Sequence, residues 1–241
     1  MSDELLVKRL GTVPYLEAWE LQKELAERRR RQENPDVLLL LEHPPTYTRG
    51  RRSKPEELPM GVNWYEAQGI EVHDTDRGGL VTYHGPGQLV AYPIIDLSAY
   101  DNDVHAYVRR LEQVIIAALG EADVPAQTID GLTGVWTIGD PPPTISSTPA
   151  RKIASIGLHV SRGITTHGLA INVSNDLQPF EWIVPCGIEG VAMTSVAREH
   201  GLDHEPERLA EALVANYRST GSLPLAGEAE GTHRFAGDER P

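Results

Sequence analysis

The sequence predicts an α+β fold, a mixed and largely antiparallel sheet flanked by helices. Three observations point there. Apolar, β-branched segments crowd the second half, and two of them, 153–160 and 164–173, are separated only by Arg162-Gly163. Two long stretches, 14–31 and 102–122, instead repeat their apolar residues at helical spacing. Strands and helices do not alternate strictly, which argues against a doubly wound parallel sheet.

The first helix runs from Pro14 to about Arg31, with Pro14 suited to its first turn and Tyr15, Ala18, Trp19, Leu25 and Ala26 on one face. Val37 to Leu41 is apolar at every position, the pattern of a strand buried on both sides. His43-Pro44-Pro45-Thr46 is expected to be loop. Strands are expected at 70–75, 80–83 and 89–95, the last two around a glycine-rich bend. Asp101 or Asn102 caps a helix reaching about Ala122, with Val104, Val108, Leu111, Ile115 and Ala118 facing inward.

Strands follow at 135–138, 153–160 and 164–173. The Pro-rich stretch 139–149 between the first two has no regular structure to offer. Asp203 caps a short helix from Pro206 to about Tyr217. Residues 221–241, rich in Gly, Pro and charge, read as a disordered tail, so residues 1–220 are expected to form a single domain. No internal repeat is visible.

The 241 residues suffice for a substantial core. The run Val37–Leu41 falls far short of the roughly 20 apolar residues that span a bilayer, so no membrane segment is expected. The acidic start Met1-Ser2-Asp3-Glu4 lacks a signal-peptide core, and a cytoplasmic location is expected. A net charge of −13 argues against nucleic acid as partner. That charge is uneven. Residues 28–54 hold eight cations, Arg28 to Arg31, Arg49, Arg51, Arg52 and Lys54, against three acids. The stretch reads either as a solvated helix end plus loop or as a docking patch for an acidic partner.

Cys186 is the only cysteine, in Trp182-Ile183-Val184-Pro185-Cys186-Gly187, and a lone thiol cannot build a disulfide framework. Proline before it and glycine after it make a good seat for a nucleophile, although a free cysteine is also a common small hydrophobe of cores. Arg77-Gly78-Gly79-Leu80-Val81-Thr82-Tyr83-His84-Gly85-Pro86-Gly87-Gln88 reads either as a substrate-lining segment or as a tight structural bend. It fits neither the Walker nor the dinucleotide pattern. Lys152 interrupts an apolar strand in Arg151-Lys152-Ile153-Ala154-Ser155-Ile156-Gly157. Either it lies on an edge strand in water, or it is a buried cation that favours a thiolate and shuttles protons. His43, His84, His159 and His167 are partners for a cysteine by type, none by spacing, and no metal-binding spacing is present.

Four motifs, Arg77 to Gln88, Lys152 to Gly157, Thr166-His167-Gly168-Leu169-Ala170-Ile171-Asn172-Val173 and Pro185-Cys186-Gly187, stand in the order seen in the LipB octanoyltransferases, which the chain resembles over residues 5–218. The resemblance implies a biotin/lipoate protein ligase-like fold and a lipoyl(octanoyl) transferase. Such an enzyme moves octanoyl from acyl carrier protein to a lysine of lipoyl domains, those of 2-oxoacid dehydrogenases and of the glycine cleavage H protein, with no cofactor. By motif, Cys186 is implied as the thioester nucleophile and Lys152 as the group that lowers its pKa. Arg77, Gly78, Gly79, Leu80, Val81, Thr82, Tyr83, His84, Ser155, Ile156, Gly157, Gly168, Leu169 and Ala170 are implied to line the acyl site. The rivals are an ATP-dependent lipoate ligase, which needs no cysteine, a papain-like hydrolase, which needs a positioned histidine, and a binding module.

Overall fold

A strand that is apolar at every position must be covered on both faces, and Val37–Leu41 imposes that requirement on the molecule. The computed structural model describes residues 5–142, 148–183, 191–200 and 206–220. In chain order its elements are β1 (Leu5–Thr12), α1 (Tyr15–Arg30), β2 (Asp36–Glu42), β3 (Thr46–Arg49), α2 (Val62–Ala67), β4 (Glu71–Asp74), β5 (Val81–His84), β6 (Gln88–Ile94), α3 (Val104–Glu121), β7 (Ala126–Ile129), β8 (Leu132–Thr137), β9 (Lys152–Ser161), β10 (Ile164–Asn172), α4 (Gln178–Glu181), α5 (Val196–His200) and α6 (Pro206–Thr220).

Seven strands form the main sheet in the order β1-β2-β6-β10-β9-β8-β7. Only β1 and β2 pair parallel; the other neighbours are antiparallel. A second sheet has the order β4-β3-β5. Alternation along β2 and β6 sorts side chains to the two faces of the main sheet. Leu38, Leu40, Leu89 and Ala91 join a cluster with Leu111, Ile115 and Ala118 of α3 and Leu213 and Tyr217 of α6. Val37, Leu39, Leu41, Val90, Tyr92 and Ile94 join a second cluster with Ala18, Leu25 and Ala26 of α1. A third cluster, with Tyr47, Tyr65, Val81, Tyr83 and Phe180, gathers around the smaller sheet.

The mixed, largely antiparallel architecture agrees with expectation; several local features do not. The Gly-Pro-Gly bend does not close a hairpin: β5 pairs with β3 in the small sheet, whereas β6 pairs with β2 and β10 in the large one. The bend therefore carries the chain from one sheet to the other. Thr46, expected in a loop, opens β3. The cap of α3 is Asp103, whose side chain accepts from Ala106 N at 2.9 Å, and not Asp101 or Asn102. Those two residues have left-handed φ of 54° and 57° and form the turn before the helix. Arg162 and Gly163 behave as expected, both with positive φ, the geometry of a two-residue hairpin turn. Strands β1 and β7 lie at the two edges of the large sheet, where half-exposed mixed sequences give little alternation to read. The ends of the Pro-rich stretch pair through Asp140 N to Thr148 O at 2.9 Å and Ala150 N to Asp140 O at 2.8 Å. Residues 143–147, the Asp203 cap and the expected tail 221–241 lie outside the described residues.

The cap assignment has a direct consequence. Asp103→Ala should lower the unfolding free energy by about 1 kcal/mol. Asp101→Gly, which relieves a left-handed residue, should leave it unchanged or raise it. Urea midpoints of the two variants that fall in the opposite order would contradict the assignment.

Candidate active site

Between β4 and β5 the chain passes from one edge of the small sheet to the other, along the flank of the large one, and Arg77 fixes that loop. Its Nε donates to Thr48 Oγ1 (3.0 Å), Nη2 to Thr48 O (2.6 Å) and Leu80 O (2.7 Å), and Nη1 to Gly78 O (2.9 Å). A buried guanidinium satisfied by a β3 strand residue and by loop carbonyls makes a rigid staple. Gly78 N donates to Leu158 O of β9 at 2.8 Å, which holds the loop against the large sheet.

The seam between the sheets holds a narrow cavity of about 70 Å³. Arg77, Gly79, Leu80, Val81, Thr82 and His84 line one side; Lys152, Ser155, Ile156, Gly157, Gly168, Leu169 and Ala170 line the other. Three of the four sequence motifs thus share one space. Two of the expected residues stand apart. Tyr83 turns into the third cluster, its ring 5.5 Å from that of Phe180, and Gly78 gives its backbone to β9. A Cβ on Gly168 would lie 2.2 Å from Ala91 O of β6, so its glycine is demanded by the neighbouring strand.

Lys152 opens β9, an interior strand flanked by β10 and β8, and is 4 % exposed; it is not an edge-strand lysine in water. Its Nζ donates to Thr133 O at 2.9 Å and lies 5.2 Å from the Trp136 ring centroid. The side chain passes over Gly134, where a Cβ would stand 2.6 Å from Cε. Glu112 of α3, buried, accepts from Gly134 N at 2.9 Å and anchors this turn. Burial raises the Glu112 carboxyl above its ordinary range, while the Arg109 and Lys152 charges pull the other way. No sequence pattern marks Glu112 or Gly134 for this task.

The inner end of the cavity is closed by Tyr15, Tyr92 and His167, which join His84 there. Of these the sequence singled out only the histidines as candidates for chemistry; Tyr15 and Tyr92 carry no signal beyond helical and strand periodicity. His167 Nε2 lies 2.7 Å from Asp76 Oδ1 and its Nδ1 3.3 Å from the Tyr15 hydroxyl. Its backbone has φ +56°, unusual in a strand, and its N–H donates to Gln22 Oε1 at 2.6 Å. His159 lies 3.5 Å from Asp76. His43 stands behind, between Val13 O (2.7 Å) and the Tyr92 hydroxyl (2.8 Å). Burial pushes His43 down to about 4 and holds His84 and His167 below the usual histidine range, the last opposed by Asp76. Burial also raises Tyr15 to about 12.

Cys186 lies outside the described residues, which end at Ile183 and resume at Val191. Beyond the gap, Ala192 O accepts from Lys152 N at 2.9 Å, and Thr194 N donates to Lys152 O at 2.9 Å. Among the described residues no group of three or more His, Cys, Asp or Glu could hold a metal ion, and no helix is long and apolar enough to cross a membrane. The basic stretch divides in two. Arg28, Arg29, Arg30 and Arg31 pair with Glu24, Asp36, Glu27 and Glu33 around the far end of α1, about 22 Å from Tyr15 at 1.5 Å per residue. Arg49 pairs with Asp74. Arg51, Arg52 and Lys54 are exposed, and the first two bond through backbone N–H to Arg77 O (3.0 Å) and Gly79 O (3.2 Å) of the cavity loop.

The buried histidines set a pH dependence of stability. Their folded pKa values lie below the unfolded value of about 6.5, so the folded state resists protons that the unfolded chain takes. Stability should be full above pH 6.5 and fall as the pH drops towards 4, with roughly 3 kcal/mol of that loss due to His43. Urea midpoints measured from pH 7 to pH 5, above the carboxylate range, should already slope downward; a flat profile there would contradict neutral burial.

Residues 14–218 match the family model described as the lipoyl protein ligase A/B catalytic domain. An octanoyltransferase of Corynebacterium efficiens is 44 % identical over 216 residues, covering 89 % of this chain and 81 % of that protein. One from Chloroflexus aggregans is 46 % identical over 213 residues, covering 88 % and 92 %. Among solved structures, the bipartite lipoate protein ligase of Thermoplasma acidophilum superposes with a TM-score of 0.68 over 90 % of this chain and 83 % of that one. At 18 % identity that likeness speaks for the fold, which is lipoate/biotin ligase-like. The chain belongs to the lipoyl protein ligase A/B catalytic-domain family, in its octanoyltransferase branch, a group of acyltransferases.

Proposed function

We propose that this protein transfers an octanoyl group from octanoyl-acyl carrier protein to a lysine of lipoyl domains, those of 2-oxoacid dehydrogenases and of the glycine cleavage H protein, through a thioester on Cys186. The observation that supports it most is that Lys152 and the segments 77–84, 155–157 and 168–170 meet around one cavity. The octanoyltransferase relatives and the backbone bonds between Lys152 and residues 192–194 add to it. Residues 1–220 act as the catalytic domain. A reducing cytoplasm, which keeps a lone thiol free, suits the chemistry.

In the first half-reaction the Cys186 thiolate attacks the donor thioester carbonyl. A C–S bond forms to Cys186, the C–S bond to the carrier breaks, and the carrier thiolate leaves and takes up a proton. In the second, the acceptor lysine amine attacks the new thioester, a C–N bond forms, and Cys186 leaves as thiolate. Lys152 as ammonium pairs with the thiolate; as neutral amine it accepts the proton released by the acceptor lysine. An amide replaces a thioester, so the reaction runs downhill without ATP. The half-lined apolar cavity suits the chain, whose methylenes each gain about 0.8 kcal/mol on burial. Arg51, Arg52 and Lys54, unpaired among the described residues and bonded by backbone to the cavity loop, supply the charge that greets the acidic carrier.

The direct test is intact-mass analysis after mixing with octanoyl-acyl carrier protein. An octanoyl adduct that maps to Cys186 is expected; transfer that survives Cys186→Ser and requires ATP would install the lipoate ligase reading instead. Gly134→Ala places a Cβ against Lys152 Cε and Ala154 O at φ +121°, so transfer should fall more than tenfold, and parental kcat would remove Lys152's seat from the mechanism. Charge reversal at Arg51, Arg52 and Lys54 should raise KM for the carrier several-fold, less so in high salt. An unchanged KM at low salt would dispose of the docking role.

A further inference from the structure

His84, at the end of β5, is 6 % exposed, its ring stacked on Tyr15 at 6.1 Å and set edgewise to His43 at 5.5 Å. Its Nδ1 lies 2.7 Å from Gln88 Oε1. The orientation of that amide follows from its other end. The Gln88 nitrogen lies between Tyr83 O (3.1 Å) and Asn172 Oδ1 (2.9 Å), and a backbone carbonyl only accepts. Asn172 is oriented the same way, by its nitrogen donating to Thr194 O at 3.0 Å. Gln88 Oε1 is therefore an acceptor, His84 Nδ1 carries the proton, and Nε2 is left as a bare lone pair on a neutral ring. Nε2 has no partner among the described residues, and it is not sealed from the cavity that His84 lines.

The neighbouring hydroxyls do not answer it. His43 Nδ1 donates to Val13 O, so its Nε2 takes the Tyr92 proton. His167 Nε2 donates to Asp76, so its Nδ1 takes the Tyr15 proton. The inner wall formed by Tyr15, His84 and Tyr92 thus presents lone pairs, with both hydroxyl protons directed elsewhere.

We propose that this wall is a subsite for a hydrogen-bond donor borne by the acyl chain, so that hydroxyacyl groups of octanoyl length are substrates alongside the plain hydrocarbon. The inference rests on the reading that the cavity holds the acyl chain. A hydrocarbon that covers His84 Nε2 leaves a buried acceptor unanswered, whereas a hydroxyl donates to it. A ketone of the same shape brings further lone pairs to a wall of lone pairs and is refused.

The test uses the full chain, a lipoyl domain as acceptor, and acyl carrier protein thioesters bearing a hydroxyl, or a ketone, on each of the last three carbons of the chain in turn. At one position the alcohol should exceed the matching ketone in kcat/KM by about tenfold or more, equivalent to ~1.4 kcal/mol. Equal values at every position would overturn the subsite. His84→Phe keeps the ring shape and should abolish the preference; a preference that persists in a folded His84→Phe protein would overturn the assignment to Nε2. If that variant does not fold, the alcohol–ketone pairs on the parent protein decide. Absence of octanoyl transfer would sink the reaction and not the subsite. The same chains as amides, titrated calorimetrically, then show the alcohol binding more tightly or show no difference.

Discussion

The constraint on which the rest depends is the seating of one cation inside a sheet. Lys152 occupies an interior strand, where an ammonium is costly unless it is held by acceptors. The fold meets that need with a carbonyl at Thr133, an aromatic face at Trp136 and a glycine at 134 that lets the side chain pass. Glu112 reaches from the far side of the turn to hold its backbone. A position that would otherwise be apolar core becomes an amine held in place beside a cavity.

The cavity itself results from two sheets that must be joined without closing on each other. Alternation in β2 and β6 covers the large sheet with α1 on one face and α3 with α6 on the other, which leaves the seam beside β9 and β10 for the smaller sheet. Arg77 spends its donors on Thr48 of β3 and on the carbonyls of Gly78 and Leu80, so the loop between β4 and β5 is rigid and its backbone, more than the guanidinium, shapes the space. The same economy governs the inner end, where Tyr15, Tyr92, His43 and His167 satisfy one another or nearby acceptors. Preorganisation of this kind favours a cavity that keeps its shape when empty.

Much of this could be read from residues before any coordinates. The unbroken run Val37–Leu41 announced a strand covered twice, and Arg162-Gly163 announced its hairpin, because periodicity and turn chemistry are local. The motif residues at 77–84, 152–157 and 168–170 pointed to a shared site through resemblance alone. What escaped was set by tertiary partners. Tyr83 belongs to an expected site motif, yet strand alternation turns it towards Phe180. The Gly-Pro-Gly bend read as a tight turn between two strands, and nothing in its sequence says that those strands join different sheets. Asp101 and Asn102 are good caps by type, but a preceding left-handed turn hands that task to Asp103. The basic stretch 28–54 read either as a solvated helix end plus loop or as one docking patch; it divides in two, and acids, Asp36 and Asp74 among them, neutralise part of it.

The central claim is that the Lys152 ammonium holds Cys186 as a thiolate, and the rate of Cys186 alkylation by iodoacetamide as a function of pH reads this most directly. In the parent protein the rate should titrate well below the ordinary thiol value of about 8.5, and in Lys152→Ala the midpoint should move back towards that value. Coincident profiles for the two proteins would contradict the account.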